Sequence, residues 1–221
     1  MVIANCIALE NQIFHEHVLY NTSAMLQQLD IDLWKEAERL VNDPPAGWPR
    51  STEVWSDLRT SASPKNPLHI STPVHGFDPD RFAREVHYSI WNGDIDASSK
   101  YYSNTVQFEG TTNRLFEGFE AYRSYVEEVR TAFPDLNLQV DEVYWMGNED
   151  DGWLISTRWS ADGTHLGASI YKEPTGGKCQ LWGITQWRVR SQIIEAEWQL
   201  FNEFDLIMQI TRAREHQDFN N

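Results

Sequence analysis

Four strand-length apolar runs between residues 136 and 189 restrict the possible folds more than any other part of the sequence. They are separated by NEDDG, ADG and EPTGGK, which are rich in the residues that form tight turns. Because tight turns connect neighbouring antiparallel strands, the pattern predicts an antiparallel sheet. The predicted strands are Leu136–Met146, Trp153–Trp159, His165–Tyr171 and Cys179–Val189.

A fifth run, Ile193–Ile210, begins with the pattern of a strand and ends with that of a helix. Polar and apolar residues alternate in IIEAEWQL, as they do in a strand with one buried face. Phe204, Ile207 and Met208 then have the spacing of an apolar helix face. We expect any reactive group to lie near this junction, because a closing strand and helix border the mouth of a pocket.

Helical patterns precede these strands and indicate an α+β fold. Asp78-Pro79 is typical of a helix start, and Gly93 is expected to end the helix that follows. A short strand at Val106–Phe108 and a second helix at Phe119–Val129 come next. This order of elements predicts a curved antiparallel sheet with helices packed on one side.

The amino-terminal residues 1–43 allow two interpretations. Ser23–Val41 has helical periodicity, whereas residues 12–20 fit a strand as well as a helix. We favour an extra helical segment that includes Asn11–Tyr20, because a helix satisfies its own backbone without a partner strand. Residues 44–77 hold six of the nine prolines and are predicted to be a linker, and residues 213–221 a tail.

Composition limits the partners of the chain. A net charge of −15 opposes binding to nucleic acid, and no apolar stretch approaches the length of a membrane span. The first twelve residues lack the pattern of a signal peptide, so a cytoplasmic location is expected. Cys6 and Cys179 are far apart and indicate no disulfide framework. We expect no metal site, since five histidines lack ligand spacing with carboxylates: His15, His17, His69, His75 and His87.

Six short motifs, in this order and at this spacing, resemble the SnoaL-like polyketide cyclases of the nuclear transport factor 2-like superfamily. The resemblance covers residues 78–212 and implies a cone-shaped, cystatin-like fold around an aromatic-lined hydrophobic cavity, usually in a homodimer. It also implies an aldol closure of a polyketide-like molecule by one buried Asp, without a cofactor. The motifs are WNGD (91–94), the Tyr pair (101–102), FEGFEAY…FPDL (116–136), GTHLG (163–167), PTG (174–176) and EW…N…L…Q (197–209).

The family position of that Asp is occupied by Asn202. Both family spacings, four residues after Trp198 and seven before Gln209, lead to this residue. An amide cannot exchange a proton near neutral pH, although it can hydrogen-bond a carbonyl group. We therefore take Asn202, Glu203 and His165 as catalytic candidates. His165 is expected either to act as a base or to bind the backbone of its turn.

Four other side chains are predicted to contact a ligand: Trp198, Arg158, Tyr102 and Trp187. Arg158 alternates with Trp159, so it either clamps an anionic or carbonyl group in the cavity or pairs with an acidic residue on the outer sheet surface. Trp182 and Trp187 have opposite parity, so at most one of them faces the cavity. We expect Trp198 and Asn202 to face one cavity with His165 close by.

The closing motif occurs twice in the sequence. Asn11–Leu29 aligns with Gln192–Ile210 without a gap, which matches Glu16 with Glu197 and Asn21 with Asn202. The repetition is either a chance similarity between two amphipathic ends or the remnant of a preceding repeat whose body is missing, and we favour the second interpretation for residues 1–43.

Three functions fit these observations. The chain is an acid–base cyclase or isomerase, a non-catalytic binder of a small apolar molecule, or a dimerisation domain whose interior is filled by its own tryptophans. The cavity separates them, because an enzyme needs titratable groups beside an accessible space. We favour a protein that binds a small molecule, and both the enzyme and the non-catalytic binder are of this kind.

Overall fold

The final strand lies inside a six-stranded sheet, between neighbours on both sides. The computed structural model describes residues 1–10, 12–46 and 76–218. Strands β1 and β2 form a hairpin, and the large sheet has the order β4-β3-β8-β7-β6-β5, in which only β3 and β8 run parallel. The strands are β1 (Val2–Leu9), β2 (Gln12–Tyr20), β3 (Tyr102–Gly110), β4 (Arg114–Glu117), β5 (Asn137–Asn148), β6 (Gly152–Thr164), β7 (Lys178–Arg190) and β8 (Ile193–Phe201).

Helices pack against the sheet, and the predicted α+β fold is confirmed. The Asp78 side chain accepts a hydrogen bond from the Arg81 amide at 3.1 Å and starts the first helix of the main domain. A wider helical turn, Tyr88–Asn92, continues that helix to Gly93, where it ends as predicted. The α-helices of the described residues are α1 (Thr22–Gln28), α2 (Leu33–Asn42), α3 (Pro79–His87), α4 (Phe119–Ala132) and α5 (Glu203–Asp218).

The two faces of the sheet are buried against different parts of the chain. On the inner face, Trp159 and Leu181 belong to the main apolar core together with residues of α3 and α4. On the outer face, Ile184 and Leu200 belong to a separate apolar cluster. Because side chains of a strand alternate between faces, each residue of β6, β7 and β8 can reach only one of these environments.

The predicted strand His165–Tyr171 is wrong. The amides of Leu166 and Gly167 donate to the carbonyl of Ala132 at 2.9 and 3.2 Å, so they bond the end of α4 instead of a neighbouring strand. Lys172 then has a φ of 69°, which turns the chain. This segment is therefore a loop packed over the end of a helix.

The helix predicted for Asn11–Tyr20 is also wrong, because β2 pairs with β1 in an antiparallel hairpin. Strand β1 supplies the partner that satisfies the backbone of β2. The helix predicted from Ser23 to Val41 divides into α1 and α2. Asp30 has a φ of 57° at the break, and the Asp32 side chain caps α2 by accepting from two backbone amides.

The hairpin covers part of the outer face of the sheet. Ile3 and Leu19 face each other across the hairpin and pack with Ile184 and Leu200. Beside them, the buried Asn5 side chain accepts a 2.6 Å hydrogen bond from Ser156 Oγ of β6. Apolar contact and a polar anchor together hold the hairpin on the sheet.

The structures of the two similar segments agree in their boundaries. The gapless alignment of their sequences places β2 on β8 and the start of α1 on the start of α5. Asn21 occupies the junction in the first segment, where its Oδ1 accepts from the Ala24 amide at 3.2 Å and the Thr112 amide at 3.0 Å. The origin of residues 1–43 as a repeat stays a prediction, although both segments form a strand followed by a helix.

Two predicted boundaries differ from the structure or lie largely outside it. Most of the linker predicted at 44–77 lies outside the described residues. Helix α5 continues to Asp218, beyond the predicted domain end at residue 212. No helix in the described ranges has the length and apolar character needed to cross a membrane.

Leu19→Ala is expected to lower the free energy of unfolding by about 2–4 kcal/mol, because it removes a buried side chain from the hairpin–sheet contact. Urea denaturation of the purified chain measures this change. Ile13→Ala is the matched control, since Ile13 lies on the same strand and is 59% exposed. Equal stability of Leu19→Ala and the wild type would mean that the hairpin does not pack on the sheet in solution.

Candidate functional site

The inner face of the sheet and helix α4 enclose a small cavity. Its free volume is about 10 Å³, roughly the space of one water molecule. The walls are almost entirely apolar. Because the space holds only about one water molecule, a larger ligand enters only if side chains move. The lining residues are Trp91, Tyr125, Val129, Leu136, Leu138, Trp159, Ala161, Leu181, Gln199 and Phe201.

Four of the lining side chains carry a polar group: Trp91, Tyr125, Trp159 and Gln199. Gln199 Nε2 and Trp159 Nε1 both donate to Thr185 Oγ1, at 3.2 and 3.0 Å. The indole N–H of Trp91 is buried and has no hydrogen-bond partner among the described residues. The Tyr125 hydroxyl belongs to a fully buried side chain of α4. The atoms that border the cavity are thus apolar, and the unpartnered indole N–H of Trp91 is buried behind them.

None of the seven predicted site residues lines this cavity. Trp198 lies in the outer apolar cluster with the hairpin, which corrects the expectation that it faces the cavity. The physical reason is the parity of β8, because Gln199 and Phe201 occupy the inner face and leave Trp198 on the outer one. Arg158 also lies on the outer side, 3.6 Å from Asp141 of β5, as expected for a sheet-surface arginine.

Asn202 closes the end of the sheet. Its Oδ1 accepts from the Trp182 amide at 2.9 Å, and its Nδ2 donates to Asp205 Oδ2 at 3.0 Å. The side chain thereby continues the β7–β8 ladder and holds the first turn of α5. An Asp at this position would bring two carboxylates together and remove the donor. The amide thus fits its surroundings as a structural group.

His165 binds the backbone of its turn, which is one of the two roles expected for it. Its carbonyl accepts from the Thr175 and Gly176 amides, and its Nδ1 lies 3.3 Å from Thr175 Oγ1. Burial, together with the charge of Arg214, lowers the pKa of the ring. The imidazole packs against Phe133 and holds the loop instead of facing the cavity.

Tyr102 and Trp187 both contact Glu197, which is not among the site residues predicted from the sequence. The Tyr102 hydroxyl and Trp187 Nε1 each donate to Oε2 of Glu197 at 2.8 Å. Glu197 lies on the inner face of β8 and is 1% exposed. Two of the predicted ligand-binding residues therefore serve a buried carboxyl group at the centre of the cone.

The environment of Glu197 favours its protonated form up to neutral pH. Burial raises the pKa of its carboxyl group to about 7, and the hydrogen bonds from Tyr102 and Trp187 oppose this rise. The nearby Tyr122 hydroxyl acts in the same direction by its proximity, without a regular hydrogen bond. A carboxyl group with this pKa can both donate and accept a proton under cellular conditions.

Glu203, the other predicted carboxyl group, is held in an ion pair. Its two oxygens accept from the Arg114 guanidinium at 2.6 and 2.8 Å, and Oε1 also accepts from Tyr171 at 3.0 Å. Thr112 donates a further short hydrogen bond. With all of these partners Glu203 anchors α5 to β4, and it is not free to act on a ligand.

Tyr125 connects the cavity to both carboxyl groups. Its ring lies 5.0 Å from the Arg114 guanidinium carbon, in a cation–π contact. Burial raises the pKa of Tyr125, the charge of Arg114 lowers it, and the charges of Glu203 and Glu197 raise it further. The hydroxyl group at the cavity wall is thus electrostatically coupled to Glu197.

The histidine inside the cone is His87, not His165. Its Nε2 lies 2.7 Å from Thr157 Oγ1, and its ring lies 4.8 Å from that of Trp187. Burial, with a smaller effect of Arg84, lowers the pKa of His87 to about 3, so the ring is neutral. It supports the Trp187 side chain that binds Glu197.

The alternation of polar and apolar residues in β8 could have indicated Glu197 from the sequence alone. In EAEWQL, a buried inner face requires either Trp198 and Leu200 or Glu197 and Gln199 to point into the cone. Apolar character favoured the first choice. The hairpin reverses it, because a second apolar surface covers the outer face.

The stability of the protein is expected to fall as pH rises from about 4.5 to about 7, the range in which folded Glu197 keeps a proton that the unfolded form has lost. The folded-state pKa of about 7 exceeds the ordinary value of 4.5, so the folded form holds this proton more tightly than the unfolded form does. The favourable contribution is complete below about pH 4.5 and lost above about pH 7, with a size of about 3 kcal/mol.

Glu197→Gln should remove this dependence, because an amide does not titrate. Chemical denaturation of both proteins between pH 4.5 and 8.5 gives the difference in unfolding free energy. Curves that stay parallel over the whole range would contradict a raised pKa for Glu197.

Comparison with known proteins shows the family of the chain and its fold. The family model described as SnoaL-like polyketide cyclase matches residues 81–210. No curated protein matches the chain. The solved structures that it resembles share little sequence identity with it, so they support the fold alone.

A candidate SnoaL-like polyketide cyclase from Jannaschia sp. CCS1 has a TM-score of 0.54 and 13% identity, and the match covers 60% of this chain and 91% of that one. IdmH of Streptomyces antibioticus, a candidate polyketide cyclase, has a TM-score of 0.52 and 18% identity over 60% and 98% of the two chains. AclR of Streptomyces galilaeus, a candidate hydroxylase, has a TM-score of 0.51 and 19% identity over 61% and 81%.

Proposed function

Since the chain belongs to the SnoaL-like polyketide cyclase family, we propose that it binds a small, mainly apolar carbonyl compound inside the cone and moves a proton on it. The reaction class is cyclisation or isomerisation through an enolate, without a cofactor. Glu197 takes the acid–base role that Asn202 cannot fill.

The proposed chemistry needs a base and an oxygen-binding donor. Charged Glu197 accepts a proton from the carbon beside the carbonyl group, which leaves an enolate on the ligand. The enolate carbon then attacks a second carbonyl group, whose oxygen takes the proton back from Glu197, or the enolate regains that proton at another carbon. We assign the buried indole N–H of Trp91, which has no hydrogen-bond partner among the described residues, as the donor to the enolate oxygen once a ligand has widened the cavity.

The observation that carries this proposal is the buried carboxyl group of Glu197 with a pKa of about 7. Burying a carboxyl group costs free energy, and an apolar residue in its place would avoid that cost. The donors Tyr102 and Trp187 fix the carboxyl group in one orientation. Both features are typical of groups that exchange protons in a site closed to water.

Glu197 and the cavity are neighbours but are not in contact. The lining ends at Gln199, two residues along β8 and therefore about 7 Å away. Tyr125 lies at the cavity wall and is coupled to the charge of Glu197. A ligand must widen the cavity by one row of side chains to reach the carboxyl group.

A second candidate function is non-catalytic binding of the same class of molecule. The small cavity favours it, because its lining is apolar and holds no carboxyl, imidazole, ammonium or guanidinium group. Tight binding without chemistry would need the cavity to open and Glu197 to stay out of reach.

The exchange of hydrogen for deuterium at C2 of methyl 3-oxooctanoate tests the proposal. This β-keto ester has an apolar tail and an acidic carbon, and proton NMR in deuterated buffer records the loss of the C2 signal. We expect the wild-type chain to accelerate exchange saturably, with a rate that rises through about pH 7 as Glu197 becomes a base. Glu197→Gln should reduce the rate by at least about a hundredfold.

Glu195→Gln is the matched control, because Glu195 lies on the same strand and pairs with Arg188 at the surface, 3.4 Å away. It should exchange like the wild type. Full activity of Glu197→Gln would remove Glu197 from the mechanism. Saturable quenching of tryptophan fluorescence by the probe, without any accelerated exchange, would establish the second candidate instead.

A further inference from the structure

Two histidines of the hairpin and one carboxyl group of the sheet meet on the outer face. His15 and His17 lie two residues apart on β2, so their side chains project to the same side of the strand. Glu142 projects from β5 beneath them. The ligand atoms of the three residues all lie within 4.8 Å of one another.

The spacing fits a tetrahedral metal ion. Two ligands that each bind zinc at about 2.1 Å lie about 3.4 Å apart. His17 Nδ1 and Glu142 Oε2 are 3.5 Å apart, so this pair already has the required separation. His15 is exposed, and its ring nitrogen lies within 4.8 Å of the other two ligand atoms, so its side chain needs to move by about 1 Å to complete the site.

The surroundings of His17 support a ligand role. Its Nδ1 is buried and has no hydrogen-bond partner among the described residues, although it faces the Glu142 carboxylate. A buried ring nitrogen that faces a carboxylate oxygen without a regular hydrogen bond is placed to share a metal ion with that oxygen.

The charges around the cluster also permit a cation. Arg158 is the positive group close by, and it lies 3.6 Å from Asp141, which offsets its charge. The Tyr144 hydroxyl donates to Glu142 and orients the carboxylate, as outer-shell partners of metal ligands do.

We propose that His15, His17 and Glu142 form a binding site for a divalent transition-metal ion, with zinc as the representative cation. The ligands come from β2 and β5, so the bound ion joins the hairpin to the sheet. This site departs from the expectation of no metal, because Glu142 is distant in sequence and no local spacing reveals it. Three protein ligands leave one position of a tetrahedral ion for water.

Isothermal titration of the full chain with zinc chloride, in a buffer that does not chelate metals, tests the proposal. We expect one equivalent to bind, with the affinity at least about tenfold weaker in both His17→Ala and Glu142→Gln. Zinc should also raise the melting temperature of the wild type and leave that of His17→Ala unchanged.

Glu16→Gln is the matched control, because Glu16 lies between the two histidines and points to the other side of the hairpin, where it accepts from Cys6. It should bind zinc like the wild type. Loss of binding in Cys6→Ser, with His17→Ala unaffected, would place the ion at the thiol and overturn the proposal. Equal affinities in all variants would mean that the ion binds elsewhere and would overturn it as well.

Discussion

A carboxyl group buried at the centre of the cone sets the main constraint on this protein. Glu197 is 1% exposed, and it is tolerated there because Tyr102 and Trp187 direct their donors at one of its oxygens. These donors come from β3 and β7, the two strands that flank β8. The hydrogen bonds therefore tie three neighbouring strands together while leaving the proton of the carboxyl group exchangeable.

The amino-terminal hairpin determines which side of the final strand faces the cone. By covering Leu200 on the outer face, it buries that side of the strand in an apolar cluster. Alternation in β8 then directs Glu197 and Gln199 inward. Helix α2 adds a second contact, since Ala37 and Leu40 pack against residues of α5. The segment before the main domain is thus an integral part of its structure.

The sequence predicted much of the fold from local patterns. The cap at Asp78, the stop at Gly93 and most of the strands lie where propensity and turn chemistry indicate. The site was harder to predict from the sequence. Its residues depend on which part of the chain covers each face of β8: the main core on the inner face and the hairpin on the outer face. Trp198 was assigned to the cavity for its apolar character, and only the docked hairpin shows why it lies outside. The strand character of residues 12–20 likewise depends on pairing with β1, which periodicity leaves open.

Glu197 holds its proton up to about neutral pH, and the proposed chemistry depends on this property. Carbon-13 NMR titration of the glutamate carboxyl signals measures it directly, with the Glu197 signal assigned by its disappearance in Glu197→Gln. The structure predicts a titration midpoint of about 7 for this signal. A midpoint near the ordinary value of 4.5 would show that the carboxyl group is charged throughout the neutral range, and it would contradict the account.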